Sequence, residues 1–273
     1  MICRYSGVNI YSMISRISSF SGPLAKLFMA RSMTQSMATS GLILQWEIGN
    51  SSSYVGYGTA IEDMTANSAD GTIVGTISYE SGYLSIQGSA TEYVRTGDLN
   101  AYLSPATTGT SISAFLWVYP TTNGIILSEE GTDTGDAGGW YDAQIQRNSS
   151  GSYLFGVWPY DMGNPLITSS ATYSLNEWHY VGYTYDGTTL RGYVNGALAG
   201  SAAVIRQSPG NNGNGMYYYV GYPTSTNMVT DPGGLGQGPA SDFRFGGMHV
   251  YNRGISAAEV LGNFESERSA YGI

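Results

Sequence analysis

Two tight-turn dipeptides constrain this chain more than any other feature. In the stretch SLNEWHYVGYTYDGTTLRGYVNGALAGS, from Ser174 to Ser201, apolar and aromatic residues recur at two-residue spacing. The pairs Asp186–Gly187 and Asn195–Gly196 interrupt that alternation. Gly, Asn and Asp accept the positive φ that a two-residue hairpin turn needs. The pattern therefore predicts three short antiparallel strands, HYVGYTY, LRGYV and ALAGS, joined as a meander.

The remainder of the chain after residue 40 has the same texture. Only 11% of the residues are charged, whereas 38 are Gly and 23 are Tyr, which is typical of short strands with glycine-rich turns. One helix is predicted near the end, where Ser256 and Glu259 form a capping box and Val260, Leu261 and Phe264 give an apolar face. The other predicted strands are GLILQWEIG, GTIVGTISYESGYLSIQG, SISAFLWVYP, SYLFGVWPY, MYYYVGYP and FRFGGMHVYN.

Charge divides the chain into two parts. No acid precedes Glu47, and the remainder carries seven bases and twenty acids, a net charge of −13. We therefore predict a basic, Ser/Met-rich N-terminal arm over residues 1–40 and a single β domain over residues 41–273. The total charge of −9 argues against a sequence-independent grip on nucleic acid phosphates.

The arm allows three interpretations. It is a loose tail or non-native start, a cleaved organelle transit peptide, or an extension that docks onto a partner subunit. We favour docking, because forty residues of this composition cannot form a core of their own. The bases of this assembly arm are Arg4, Arg16, Lys26 and Arg31.

Cysteine content and hydropathy bear on the compartment. Cys3 is the only cysteine, so the chain forms no intrachain disulfide, which fits a reducing compartment. No apolar run approaches the roughly 20 residues needed to cross a bilayer. Bases and serines interrupt the apolar stretch that a secretory signal would need. We expect no transmembrane segment and no secretory leader.

The meander also carries a resemblance to a known family. Trp178, the Tyr185–Gly187 turn and the Tyr193–Gly196 hairpin resemble the central block of laminin-G-like, concanavalin-A-like jelly-roll domains. The runs LILQWEIG, SISAFLWVYP and MHVYNRGISAAEV are similar to other blocks of that family in order and spacing. The resemblance covers roughly residues 41–264. It implies an all-β, two-sheet antiparallel sandwich of the concanavalin-A-like jelly-roll type, with Trp117 and Trp178 in the core.

Two details refine the resemblance. The ending EVLGNFESERSAYGI resembles the tails of laminin-G-like proteins of tailed phages and large algal viruses. Many family members carry an acidic pair just before the last strand, where this chain has Gly246 and Gly247. That departure puts in doubt any role the acidic pair has elsewhere in the family.

Catalytic constellations do not emerge from the sequence. Glycan hydrolases of this fold use a Glu-x-Asp-x-x-Glu triplet with its carboxylates on one face, and this chain has none. Glu129 and Glu130 are adjacent, which points them to opposite faces of a strand. No Gly-x-Ser-x-Gly elbow occurs. His179 and His249 fall in predicted strands, where packing is the simpler explanation. We therefore predict a protein that is not an enzyme.

Two binding sites are predicted in loops and at strand ends. Exposed aromatic faces at the rim of the jelly roll would bind carbohydrate. The candidates are Trp140, Tyr141, Trp158, Tyr160 and Tyr222. Carboxylates of the loop SEEGTDTGDAGG would offer oxygen ligands to a hard cation such as Ca²⁺, against the simpler interpretation of a flexible acidic loop. These are Glu129, Glu130, Asp133 and Asp136.

These observations lead to two functional hypotheses. The first is a non-enzymatic structural protein of a larger assembly, such as a minor capsid, decoration or attachment protein of a virion, docked by its arm onto other structural proteins. The alternative is a carbohydrate-binding, lectin-like adhesion module at the cell surface or outside the cell. The two are compatible, because a virion surface protein can also bind glycans.

Overall fold

Glycine-rich turns divide the chain into short strands, which pair into two antiparallel sheets. The computed structural model describes residues 36–103, 109–132, 141–158, 165–207, 215–224, 228 and 240–273. The first sheet contains β1 (Leu42–Glu47), β4 (Ser78–Glu80), β5 (Tyr83–Gln87), β7 (Ile112–Pro120), β12 (His179–Tyr185), β13 (Thr189–Val194), β14 (Ala197–Ala203) and β16 (Asp242–Tyr251). The second contains β2 (Ala60–Ile61), β3 (Gly71–Val74), β6 (Tyr93–Arg95), β8 (Gly124–Glu130), β9 (Tyr141–Arg147), β10 (Tyr153–Phe155), β11 (Ile167–Thr168) and β15 (Tyr217–Val220).

The predicted meander is confirmed. Strand β12 pairs antiparallel with β13, and β13 pairs antiparallel with β14. The turn between β13 and β14 has positive φ at both central residues, 51° at Asn195 and 77° at Gly196. The turn after β12 has a φ of 103° at Gly187. These are the conformations that the two dipeptides were expected to supply.

Side chains alternate along each strand between an inner face, towards the other sheet, and an outer face. In β12, Val181, Tyr183 and Tyr185 belong to the main core between the two sheets. Tyr180 on the same strand faces the other way and packs in a second cluster with Trp117 and Phe264. Both faces of this strand are therefore covered, which explains why all seven of its residues are buried. The all-β, two-sheet sandwich predicted from the sequence is confirmed.

Strand β16 organises the first sheet because it changes partners along one edge. Its first half, Asp242 to Phe245, pairs with β5, whereas its second half, from Gly247, pairs with β1. Strand β7 runs along its other edge. The register shifts between Phe245 and Gly247, so Gly246 lies in a β-bulge where the partner changes. A gap between the end of β1 and the start of β5 follows from this pairing.

The predicted C-terminal helix covers the outer face of the first sheet. Helix α1 (Asn100–Leu103) is a single turn, and α2 (Ala257–Glu267) continues into a 3₁₀ helix (Arg268–Tyr271). Both hydrogen bonds of the predicted capping box at Ser256 and Glu259 are present. Val260 and Phe264 are buried, as predicted, but Leu261 is 39% exposed. Leu261 is about 100° further around the helix than Val260, which turns it towards the edge of the contact.

Part of the predicted arm contacts this domain. The backbone N–H of Ala38 donates to Asn263 Oδ1 at 2.8 Å, and Arg253 Nε donates to the carbonyl of Ser40 at 2.8 Å. The arm residues Arg4, Arg16, Lys26 and Arg31 lie outside the described residues, so the docking hypothesis stays a prediction. Within the described ranges, none of the helices has the length and hydrophobicity to cross a bilayer.

A polar cluster lies in the core between the two sheets. The Glu129 carboxylate accepts hydrogen bonds from Arg206 and from Gln144 Nε2, and all three side chains are buried. Asp142 lies opposite Glu129 in the register of β9 with β8, and its side chain is also buried. Burial, and secondly the charge of Glu129, raise the pKa of Asp142 well above its ordinary value. The cluster therefore favours a protonated carboxyl on Asp142, beside the ion pair of Glu129 with Arg206.

Replacement of each acid tests that division of roles. The pKa of Asp142 is higher in the folded protein than in the unfolded chain. Asp142 therefore lowers the free energy of unfolding once the pH exceeds the unfolded-state pKa, and this loss grows until the pH reaches the folded-state pKa. We expect Asp142→Asn to leave the melting temperature unchanged or raised at neutral pH. The matched variant Glu129→Gln breaks the buried ion pair with Arg206 and should cost about 3–5 kcal/mol. Differential scanning calorimetry of both variants measures the two effects. A larger loss of stability in Asp142→Asn than in Glu129→Gln would contradict the prediction.

Candidate functional site

An open cleft lies on the outer face of the first sheet, where β16 changes partner. Its volume is about 970 Å³. The end of β1 and the following turn form one side, and the β4–β5 hairpin forms the opposite side. Trp178 and the C-terminal 3₁₀ helix complete the walls. The lining includes the side chains of Glu47, Asn50, Tyr83, Trp178, Glu267 and Tyr271.

The two glycines that depart from the family pattern make room for this cleft. A Cβ at Gly246 would lie 2.4 Å from the ring of Tyr271, which occupies the outer face of the sheet at the bulge. A Cβ at Gly247 would lie 2.4 Å from the backbone carbonyl of Trp46, on the paired strand β1. Both distances are shorter than side chains tolerate. An acidic pair at these positions would therefore displace Tyr271 and separate β1 from β16.

Half-buried aromatic side chains form a continuous strip along the cleft. The strip consists of Tyr83, Tyr119, Trp178 and Tyr271. The Trp178 ring lies at its centre, with centroid distances of 6.0 Å to Tyr83, 5.6 Å to Tyr119 and 4.8 Å to Tyr271. Tyr271 in turn stacks on the buried Trp117 at 4.1 Å. The strip is therefore anchored to the core and keeps part of its aromatic surface open to solvent.

Two carboxylates stand beside the aromatic strip. Glu267 Oε2 accepts a hydrogen bond from Trp117 Nε1 at 2.6 Å, and its Oε1 lies 3.2 Å from His249 Nε2. Glu47 accepts from Gln45 Nε2 at 2.6 Å and from Asn50 Nδ2 at 3.2 Å. Each carboxylate is thus held in place and keeps further lone pairs for a ligand, since a carboxylate has about four acceptor positions.

Electrostatics set the protonation states around the cleft. Burial alone would lower the pKa of His249, but the neighbouring Glu267, and more distantly Glu47, raise it above 6.5. Burial would likewise raise the pKa of Glu267, but His249 and Trp117 lower it below 4.5. Burial, then Glu267 and Glu47, raise the pKa of the Tyr271 hydroxyl well above 10. At neutral pH the cleft therefore presents the ionised carboxylate of Glu267 as an acceptor and the protonated hydroxyl of Tyr271 as a donor.

The predicted carbohydrate-binding residues differ in their exposure to solvent. Trp158 is 41% exposed, and Tyr141 is half-buried at the start of β9. Tyr222 is 7% exposed, because it packs edge-on against Tyr93 and Tyr219 on the outer face of the second sheet. The expectation that Tyr222 is exposed is therefore wrong. Trp140 and Tyr160 lie outside the described residues, and the rim site stays a prediction.

The predicted cation site also needs correction where it is described. The sequence predicts Glu129 and Glu130 as ligands in a cation-binding loop, but both belong to β8 and are fully buried. Glu129 turns into the core, where Arg206 and Gln144 engage its carboxylate. Asp133 and Asp136 lie outside the described residues. Among the residues that the structure covers, no group of three His, Cys, Asp or Glu side chains could hold a metal ion.

The two histidines lie in strands, as predicted. His179 is in β12, and its Nδ1 lies 2.8 Å from the Tyr153 hydroxyl. Burial, helped by Arg147, lowers the pKa of His179 to about 4, so its imidazole is neutral. His249 is buried in β16 and faces Glu267. The sequence did not reveal the pairing of His249 with Glu267, because it depends on how the C-terminal helix packs on β16.

The sequence alone does not reveal the aromatic strip, for a specific reason. Trp178 was assigned to the core with Trp117, but only Trp117 is buried, at 1% exposure, whereas Trp178 is half-buried. Both side chains point to the outer face, and the helix α2 covers Trp117 but stops before Trp178. Tyr83 and Tyr119 alternate outward on their strands, which was a detectable signal. That Tyr83 and Tyr119 lie close to Trp178 depends on which strands are neighbours in the sheet, which the sequence does not show.

The fold and the cleft together define a class. Two antiparallel sheets face each other around one core, and a C-terminal helix packs on the outer face of one of them. The protein is therefore a concanavalin A-like β-sandwich. The chain belongs to the concanavalin A-like lectin/glucanases superfamily, because the laminin G-type model of that family matches residues 87–261. No curated protein sequence matches the chain.

Solved structures of similar fold come from several kinds of protein. A Trypanosoma rangeli sialidase is 17% identical, with a TM-score of 0.57 over 85% of this chain and 33% of the sialidase. Domain 4 of AbnA, an extracellular arabinanase from Geobacillus stearothermophilus in complex with arabinotriose, is 15% identical, with a TM-score of 0.52 over 82% of this chain and 98% of that domain. The botulinum neurotoxin serotype D/C binding domain is 14% identical, with a TM-score of 0.55 over 83% and 52%.

These similarities establish the fold alone. The chain spans about a third of the length of the sialidase, so that enzyme's activity cannot be transferred to it. At such low identities, the function has to be argued from the cleft itself.

The ion pair beside the cleft predicts a pH dependence of stability. The raised pKa of His249 means that its contribution is complete below pH 6.5 and is lost as the pH rises through the folded-state value. We expect the difference in melting temperature between the wild type and His249→Gln to shrink as the pH rises from about 6 to about 9. Differential scanning calorimetry across that range checks the result. A difference that stays constant would mean that His249 is not charged in the fold.

Proposed function

We propose that the chain is a non-enzymatic carbohydrate-binding module whose ligand lies in the cleft against the aromatic strip. One observation carries the proposal: Trp178 is half-buried at the centre of three other aromatic rings, beside two ordered carboxylates. The apolar faces of a sugar ring pack on aromatic side chains, and its hydroxyl groups donate to fixed acceptors. Glu47 and Glu267 are such acceptors, and the Tyr271 hydroxyl is a matching donor.

Preorganisation supports binding in this cleft. Trp117 and His249 hold Glu267, while Gln45 and Asn50 hold Glu47. Tyr271 is fixed between Trp117 and the bulge at Gly246. A ligand therefore does not have to order these side chains, which removes an entropic cost of binding. An open cleft of about 970 Å³ accommodates more than one sugar ring.

The same contacts argue against hydrolysis in this cleft. A glycosidase needs one carboxyl that stays protonated near neutral pH and donates a proton to the leaving oxygen. His249 and Trp117 lower the pKa of Glu267 below its ordinary value, which is the opposite shift. Glu267 is therefore a poor general acid and a good acceptor of hydrogen bonds. This is the physical basis for proposing a binding module and not an enzyme.

Two tryptophan variants distinguish the cleft from the rim site. Removing the central ring in Trp178→Ala should lower glycan affinity by about tenfold or more, because an aromatic anchor at the centre of a site carries much of the binding energy. Trp158→Ala is the control, since Trp158 is an accessible tryptophan, 41% exposed, that does not line the cleft.

The measurement is a glycan array followed by calorimetric titration of the glycans that bind. Circular dichroism and the melting temperature confirm that both variants fold. Loss of binding in Trp158→Ala with normal binding in Trp178→Ala would move the site to the rim and contradict the cleft proposal.

We also propose that the arm attaches this module to a larger assembly, with a virion as the leading setting and a cell-surface or extracellular setting as the alternative. The support is the charge contrast between the acid-free arm and a remainder of net charge −13. The phage-like ending is weaker support for a virion. Asn263 and Phe264, which are part of it, have packing roles: Asn263 donates to the Tyr251 hydroxyl at 2.8 Å, and Phe264 lies on the buried face of α2.

Cross-linking mass spectrometry of the protein in its native source material tests the arm. Lys26 and the amine of Met1 are the reactive groups, and acid-directed reagents cover the domain. Links from residues 1–35 to another structural protein are the expected result. Links that return only to residues 41–273 would contradict docking and leave a free-standing binding module.

A further inference from the structure

Arg244 is held between two rings of the aromatic strip. Its guanidinium carbon lies 4.8 Å from the centroid of Tyr83 and 4.5 Å from that of Tyr119. Phe243 and Phe245, its neighbours in β16, both belong to the core between the sheets, so Arg244 projects to the outer face. Tyr83 also lines the cleft and contacts Trp178. The guanidinium is therefore separated from the cleft by a single tyrosine ring.

The donors of Arg244 have no acceptor within the described part of the chain. Nearby carboxylates do not pair with it: Asp242 lies two residues away on the same face, without an ion pair to Arg244, and Glu80 accepts from the Tyr83 hydroxyl at 3.0 Å. Other arginines behave differently. Arg191, Arg206 and Arg253 each form an ion pair with a carboxylate, to Asp186, Glu129 and Glu259 respectively.

The contacts with Tyr83 and Tyr119 leave N–H donors of the guanidinium available. A cation–π contact is an electrostatic attraction to the ring and is not a hydrogen bond to a polar acceptor, and a guanidinium has five N–H donors in one plane. A fixed planar guanidinium binds a carboxylate or sulfate through two parallel hydrogen bonds. Tyr83 and Tyr119 also restrict the rotamers of Arg244, so little side-chain entropy is lost on binding.

We propose that Arg244 forms an anion subsite, and that the ligand of the cleft is an acidic carbohydrate. This inference rests on the proposed glycan-binding function and specifies its ligand class. One sugar ring packs on the strip at Trp178, and a carboxylate or sulfate on that ring or its neighbour reaches across Tyr83 to the guanidinium. In a chain of net charge −9, such a group needs a local cation to bind.

A glycan array that carries carboxylated, sulfated and neutral oligosaccharides tests the inference. The wild-type chain should bind acidic glycans in preference to neutral ones, and its affinity for them should fall as sodium chloride is raised. Carboxylated and sulfated probes distinguish the two sources of negative charge. Titration with matched pairs, oligogalacturonate against its methyl ester and dextran sulfate against dextran, measures the preference directly.

Variants assign that preference to one residue. Arg244→Gln should lower affinity for the acidic glycans about tenfold more than affinity for the matched neutral glycans. Arg244→Lys keeps the charge without the planar fork and should give a smaller loss. Arg191→Gln is the control, because Arg191 is exposed and already paired with Asp186.

The outcomes separate this inference from the proposal on which it rests. Preferential binding of neutral glycans, or acidic binding unaffected by Arg244→Gln in a folded variant, would overturn the anion subsite and leave carbohydrate binding standing. No binding of any glycan by the wild type would overturn both.

Discussion

The change of partner along β16 is the constraint on which the functional face depends. Strand β5 occupies one half of its edge and β1 the other, and the bulge at Gly246 absorbs the register shift between them. The gap that this leaves would expose the outer face, and Tyr271 fills it in part because Gly246 has no side chain. The cleft is therefore a consequence of strand pairing, and the C-terminal segment is one of its walls.

Buried charges have opposite consequences in two regions of the fold. Between the sheets, Glu129 is neutralised by Arg206, and the second acid, Asp142, is driven towards its protonated form. Beside the cleft, His249 provides the compensating charge, so Glu267 remains ionised although it is largely buried. Of these two, the pair of Glu267 with His249 is the one that leaves an ionised carboxylate within reach of solvent. The inner cluster stabilises the fold, whereas the outer one also shapes what the surface can bind.

Sequence reasoning predicted the fold much better than the site. Asn195–Gly196 and the capping box at Ser256 determine local backbone geometry, so they were readable without any knowledge of tertiary structure. The burial of Glu129 was missed, because it depends on an arginine 77 residues away. The cleft was missed for the same reason: Tyr83, Trp178 and Tyr271 meet only through pairing of strands that are distant in sequence. Gly246 and Gly247 were noticed as a departure from the family, but their role required the packing of Tyr271.

The most direct test of the account is a titration followed by the indole resonances of the five tryptophans in a ¹H–¹⁵N spectrum of the full chain. An acidic oligosaccharide selected by array screening is added stepwise. If the sugar lies in the cleft, the signals of Trp178 and Trp117 should move together. Trp178 would contact the sugar, and Trp117 donates to Glu267, the carboxylate that would also accept from the sugar. The buried Trp46, which faces the core, should not respond. Movement of the Trp158 signal with no change at Trp178 and Trp117 would place the ligand elsewhere and contradict the cleft as the binding site.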